Sequence, residues 1–313
     1  MFVRSLFALA LCTCTSAFGA VTLQDADSFW KFDGGSSGTA TNAQIVDFTG
    51  NHVATSASRL SWNTSVPATS PAGGIPVDTL GRALNFGPTT VTKNDGAAVN
   101  DSVAAASFLV SNGTVSGNFS VITRAVWDGV VPGGDDALGY HWLLNNGLGG
   151  SGAGFLFGVQ AQDSGNSGRL SYYTSATGVA SGISTLAMTK GVWYDIGIVV
   201  DMGDNNAATL ADNTVTFYLY GPGGLQTQTI SGIHVSDLTS VAPGGNLLVG
   251  SESAGTGTSN QRKTYNGSLD YLAIFDVSMS QQDVLAIMAA PEPGRALLLV
   301  IGLAGLLMRR RRA

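Results

Sequence analysis

The sequence predicts an all-β protein built as a sandwich, and three observations predict it. Only 12% of the 313 residues are charged while 42 are glycine, and glycine with Ser, Thr and Asn weakens helices and favours turns. Two strands face each other near the middle, Gly191-Val-Trp-Tyr-Asp-Ile-Gly-Ile-Val-Val-Asp201 and Asn213-Thr-Val-Thr-Phe-Tyr-Leu-Tyr-Gly221. Further short apolar runs recur at regular spacing between Gly, Asn, Asp and Ser, the pattern of a sandwich.

In the first central strand, Trp193, Asp195, Gly197 and Val199 alternate with Tyr194, Ile196, Ile198 and Val200. A period of two puts these sets on opposite faces. The second is a run of β-branched and aromatic residues, and the polar stretch from Asp201 to Asp212 leaves room for an antiparallel return.

Taken from its start, the body opens with Ser28-Phe-Trp-Lys-Phe-Asp33, where Phe29, Lys31 and Asp33 alternate with Trp30 and Phe32. Residues 40 to 81 carry Pro67, Pro71 and Pro76 and read as short strands in an irregular excursion. Gly81 to Gly87 holds a short strand, and Ala97 to Val110 fits a strand or a helical turn. Phe119 to Trp127 is a strand by its alternation, followed by Tyr140 to Leu144, Gly154 to Gln160 and Arg169 to Thr174. After the central pair come Gln226 to Ile230, Asn246 to Gly250 and the closing strand Leu269 to Phe275. Ser280-Gln-Gln-Asp283 ahead of Val284 to Met288 fits a capping box opening one short helix. One domain over 21 to 288 is expected.

Both ends read as addressing segments. Residues 1 to 20 hold Arg4, an apolar run from Leu6 to Leu11, then Ser16, Ala17, Gly19 and Ala20, a secretory signal peptide that implies the Sec export machinery. Its cleavage point within Ala17 to Ala20 is open, and a lipoprotein reading of Cys12 is weakened by Leu11. The only cysteines, Cys12 and Cys14, lie inside this segment, so the exported body is expected to hold no disulfide. Residues 21 to 290 carry 9 Lys and Arg against 20 Asp and Glu, leaving −11, which excludes nucleic acid as an expected partner.

Residues 289 to 313 run through Pro291, Glu292 and Pro293, then thirteen apolar residues from Ala296 to Met308, then Arg309, Arg310, Arg311 and Arg312. The apolar run is expected to form a hydrophobic helix in the precursor. It is short for a span of about 17 to 25 residues, and the arginines mark a cytoplasmic end. The order of these three parts resembles the PEP-CTERM sorting signal of Gram-negative bacteria. The resemblance implies an exosortase-type membrane protease as partner, transient inner-membrane anchoring through 296 to 308, and release to the cell surface or extracellular matrix. A plain anchor or a buried helix are the alternatives, and a cluster of arginines resists burial.

In the body, Phe29 to Asp33, Gly81 to Phe86, Trp193 to Asp201, Val215 to Gly221, Leu248 to Gly250 and Asn266 to Asp276 together resemble the LamG-like, concanavalin A-like jelly-roll family. The resemblance implies two stacked antiparallel sheets, sugar or protein binding, and often a structural calcium ion. Asp270 matches the acidic position of the family's last strand that reaches calcium, with carbonyls near Asp33; a solvent-facing strand aspartate is the other reading. Asp201, Asp204 and Asp212 miss the spacing of a calcium loop and fit an Asx-rich turn.

Catalysis has little to work with. Retaining glycosidases need two carboxyl groups about 5 to 5.5 Å apart, and Glu252, the one glutamate outside the tail, has no acidic neighbour in sequence. Aspartates from separate strands keep a glycoside hydrolase as an alternative. His52, His141 and His234 are scattered, with no nucleophile elbow and no zinc spacing. For glycan, aromatic faces beside amides and carboxylates are the useful chemistry. Trp127, Asp135, Asp136, Tyr140, Trp142, Asn145, Asn146, Tyr172 and Tyr173 supply it in one region. Core packing is the competing reading for Trp127, Tyr140 and Trp142. The expected function is non-catalytic binding of carbohydrate or exopolysaccharide at the cell surface or in the matrix, with a ligand-free structural biofilm protein as the rival.

Overall fold

The computed structural model describes residues 21–35, 38, 40–58, 60–67, 81–86, 107–110, 117–130, 140–145, 155–174, 182–203, 212–233, 235, 247–250 and 265–289. The signal segment and the sorting residues Pro291, Glu292, Pro293 and Arg309 to Arg312 lie outside them.

Among the described residues the chain forms fifteen strands and one α-helix. The strands before the middle are β1 (Ser28–Lys31), β2 (Ala54–Ser58), β3 (Ser61–Asn63), β4 (Ala83–Asn85), β5 (Ser107–Val110), β6 (Phe119–Trp127), β7 (Tyr140–Asn145) and β8 (Phe155–Gln162). Those after it are β9 (Ser167–Thr174), β10 (Gly182–Thr189), β11 (Trp193–Asp201), β12 (Thr214–Gly221), β13 (Gly224–Ser231), β14 (Leu247–Val249) and β15 (Gly267–Phe275). The helix, α1, spans Gln281–Met288.

These strands form two antiparallel sheets in the jelly-roll arrangement. One sheet has eight strands in the order β13-β12-β11-β6-β15-β4-β3, with β1 also pairing β15; the other has seven, β10-β9-β8-β7-β14-β5-β2. The central hairpin pairs as expected, Asp195 opposite Tyr220 through Asp201 opposite Thr214. β11 lies between β12 and β6, deep in its sheet. β10 has no counterpart in the sequence expectations, because Gly182, Ser184 and Ala187 dilute its strand signal.

Alternation fills the space between the sheets. Trp30, Phe119, Trp127, Ile196, Ile198, Phe217 and Leu272 from one sheet meet Phe155, Phe157, Val159, Leu170 and Tyr172 from the other. The opposite face of the eight-stranded sheet carries a second apolar cluster, Phe29, Ile122, Val199, Tyr218, Tyr271, Ala273 and Phe275, roofed by Val284, Ile287 and Met288 of α1. The predicted capping box is present: Ser280 Oγ accepts from the Asp283 N–H at 3.2 Å, and the Asp283 carboxylate accepts from the Ser280 N–H at 3.2 Å. Gly197 matters here, since an added Cβ would meet Met288 and Val284 at 3.2 Å, so it lets α1 lie close on β11. No described helix is long and apolar enough to cross a membrane.

Candidate functional site

The helix lies on one sheet; on the outward side of the seven-stranded sheet Trp142 and Ser171 are buried, and exposure is confined to the ends of β8 and β9 and to β10. Along β9, Leu170 and Tyr172 point into the core, which sends Arg169, Ser171 and Tyr173 outward. Tyr173 is 37% exposed and its ring lies 6.4 Å from that of Trp142, tilted by 41°. Gln160 of β8 stands directly opposite Arg169; Arg169 is exposed and Gln160 partly so. On β10, Thr185, Ala187 and Thr189 continue the outward side and are exposed. The result is an aromatic face at one end of a strand and a guanidinium beside an amide four residues away. Such a surface suits a ligand with apolar C–H faces and many hydroxyls.

Of the expected binding residues, Asp135, Asp136 and Asn146 lie outside the described residues. Tyr140 pairs through its backbone with Gln160, while its side chain lies outside the description. Trp142 and Asn145 call for a correction. Each is 1% exposed, so neither offers a face or an amide to a ligand; the Trp142 ring lies beside that of Tyr173 on the same side of the sheet. Trp127 is fully buried in the main core, and His141 stacks edge-on against it at 5.5 Å. Gln160 and Arg169 were not among the expected binding residues, although the alternation along Arg169 to Tyr173 carried the signal.

The other predicted site residue leads to a buried polar cluster on the eight-stranded sheet. The register between β15 and β6 slips at Leu269 to Tyr271, a β-bulge that turns Asp270 and Tyr271 toward one side. There the Asp270 carboxylate accepts from Arg124 Nη1 at 3.3 Å. Arg124 is completely buried, stands opposite Asp195 on β11, and lies 5.4 Å from the centre of the Trp193 ring. Its Nη2 also donates to the Pro67 carbonyl at 3.5 Å. Burial pushes the Tyr271 phenol well above its ordinary pKa; Asp195 and Asp270 add to the rise and Arg124 opposes it.

This donor set does not fit calcium. A guanidinium already occupies the face of Asp270, and Asp33 turns instead to the Lys31 ammonium at 3.8 Å. Calcium takes six to eight oxygens, and among the described residues no three His, Cys, Asp or Glu side chains gather. Asp270 therefore acts as the counter-charge of a buried arginine.

No family model and no curated protein matches the sequence. Solved structures resemble the chain at low identity and low TM-score. The receptor-binding domain of botulinum neurotoxin type G is 11% identical with a TM-score of 0.44, covering 83% of this chain and 50% of that one. A heptameric SAP-like pentraxin from Limulus polyphemus is 12% identical at a TM-score of 0.36, with 56% and 74% covered. The CBM40 module of a Ruminococcus gnavus IT-sialidase, bound to α2,6-sialyllactose, is 12% identical at 0.34, with 56% and 84% covered. This chain spans half the length of the first of these.

Proposed function

We propose that the protein is an exported, non-catalytic carbohydrate-binding module of a Gram-negative bacterium. Its tail hands it to an exosortase-type protease, and it is displayed on the cell surface or in the extracellular matrix. The observation that carries the binding half is the outward face of β8 and β9, where an exposed tyrosine beside a tryptophan shares a sheet surface with Gln160 and Arg169. The addressing half rests on the order of Pro291-Glu-Pro293, apolar run and terminal arginines. The non-catalytic half is supported by where two carboxylates go: Asp195 and Asp270 are buried beside Arg124 rather than lining a groove.

The test is binding of the purified protein to a panel of polysaccharides that includes the producer's own exopolysaccharide, with calcium and with EDTA. Saturable binding is expected in both buffers, and Tyr173→Ala is expected to weaken it about ten-fold, the worth of one stacking contact. A folded sample that binds no glycan, or binds equally well without Tyr173, overturns this reading.

A further inference from the structure

Among the described residues, Val46, Phe48 and Val53 stand out in one apolar patch, exposed by 50%, 58% and 63%. The patch belongs to the chain that follows β1. That segment pairs along β1 through the bridge between Trp30 and Asp47 and the bond from the Phe48 N–H to the Phe29 carbonyl at 2.7 Å. Phe48 therefore shares a face of the sheet with Phe29, and their rings lie 6.0 Å apart. Val53 stands opposite Val46 in a second bridge. The segment is firmly held: the buried Asp47 carboxylate accepts from the N–H groups of Phe29, Thr49 and His52 at 2.8 to 3.0 Å, and His52 Nε2 lies 2.7 Å from Asp27 Oδ2. A preformed, contiguous apolar patch of this kind marks a contact surface.

Its place in the sheet decides what can reach it. Cross-strand register sets Gly197 of β11, Ile122 of β6, Ala273 of β15, Phe29 of β1 and then Phe48 in one row. Met288, which ends α1, packs over Gly197 at the far end of that row, about 19 Å from Phe48 over four strand spacings. The patch and α1 thus stand on the same face. Residues 290 to 295 separate Ala289, the C-cap of α1, from the apolar run Ala296 to Met308, and so short a stretch reaches about 20 Å at full extension. Val21 and Leu23, which follow the signal segment, pack against the apolar cluster of this same face. Both membrane-directed segments therefore join the body there.

We propose that Val46, Phe48 and Val53 form a patch that rests on the lipid bilayer while the tail anchors the chain, with Phe48 seated at the headgroup boundary. This placement rests on the reading of residues 296 to 308 as a membrane anchor. The three side chains offer no hydroxyl, amide or charge, which suits acyl chains better than a sugar. The Lys31 ammonium lies 5.9 Å over the Phe48 ring, and a cation beside an aromatic and aliphatic surface is the chemistry of segments that lie in the bilayer interface. On the outer side of α1, the exposed Gln281, Gln282 and Ala286 carry no charge that would hold lipid away. Because the body carries −11, anionic lipid adds repulsion, and the contact is apolar rather than electrostatic. The outward residues of β8, β9 and β10 belong to the other sheet, so the anchored body presents them away from the membrane.

The test uses the exported chain, residues 21 to 313, which has no cysteine of its own, reconstituted into neutral phosphatidylcholine vesicles carrying a nitroxide-labelled lipid. A fluorophore is attached at Phe48→Cys, at Val53→Cys or, on the outward side of the other sheet, at Ala187→Cys. All three positions are exposed, so each variant should melt with the unsubstituted chain. Labels at positions 48 and 53 should lose about half of their emission or more, since an interfacial apolar face lies roughly 5 to 10 Å into the headgroup boundary, while the label at 187 keeps its emission. A chain that does not float with the vesicles refutes the anchor and the resting patch together. A chain that floats with labels at 48 and 53 quenched no more than the one at 187 overturns the patch alone. Labels shielded from water yet not quenched by lipid would put another protein surface there, the tail or a second copy, and would overturn it as well.

Discussion

The two sheets treat their outward faces in opposite ways. On the eight-stranded sheet the middle of that face is a second interior: α1 roofs one part of it, and Arg124, Asp195, Asp270 and Tyr271 are closed over in another. On the seven-stranded sheet the outward side opens progressively, from the buried residues of β7 to the exposed Arg169, Tyr173 and Thr185 of β9 and β10. Each face carries an arginine, and the contrast between them is instructive. Arg124 has left water and needs its carboxylates; Arg169 has not, and is available to a ligand.

Removing those two arginines is the strongest way to test the contrast. Arg124→Met leaves Asp270 and Asp195 buried without their guanidinium and should cost about 3 to 5 kcal/mol, the loss seen when a buried pair is broken one-sidedly. Arg169→Met should stay within about 0.5 kcal/mol. Urea unfolding with a common slope measures both. Equal effects would mean that the two faces are not differently solvated.

A smaller effect should appear with alkali. The Tyr271 phenol is raised by burial and by its two aspartates, so in the folded protein it stays protonated where the unfolded chain would ionise, near about pH 10. Above that pH the unfolded state has released a proton that the native state still holds, and stability falls as pH rises. Tyr271→Phe should flatten the decline between about pH 10 and 11. A decline of unchanged steepness would place its cause at another group.

Much of this contrast was legible in the sequence, and the illegible part has definite causes. The central hairpin, β6 and the capping box at Ser280 follow from strand and helix periodicity with local side-chain chemistry, so they needed no tertiary knowledge. The alternation also placed Asp195 on the face of Trp193, Gly197 and Val199. It did not reveal that Asp270 would meet Arg124, because that depends on a bulge between strands far apart in the chain. Nor did it separate Trp142 from Tyr173. Both point outward, and only the packed structure shows that one is sealed and the other open. β10 escaped because its small residues owe their strand conformation to pairing with β9 rather than to propensity.

The helix roof offers a milder perturbation. Ser280→Ala removes the oxygen that accepts from the Asp283 N–H and should cost about 1 kcal/mol. The loss should speed exchange of the amides at the start of α1 before those of β6, since a frayed helix end opens locally. Uniform loss across the sheet would mean that α1 is part of the cooperative core rather than a cover laid on it.

The smallest expected change in stability sharpens the comparison most. Tyr173→Ala trims a side chain that is already part-exposed, so unfolding should shift by no more than roughly 0.5 kcal/mol. Tyr218→Ala, on the roofed face, empties a position packed within the second cluster and should cost about 3 to 5 kcal/mol. One tyrosine is kept for packing, and the other has little packing to account for its place beside Trp142. If Tyr173→Ala destabilised as much as Tyr218→Ala, the open face would be structural like its counterpart, and the case for a binding surface there would fall with it. If stability holds while glycan binding drops, that tyrosine is a contact residue.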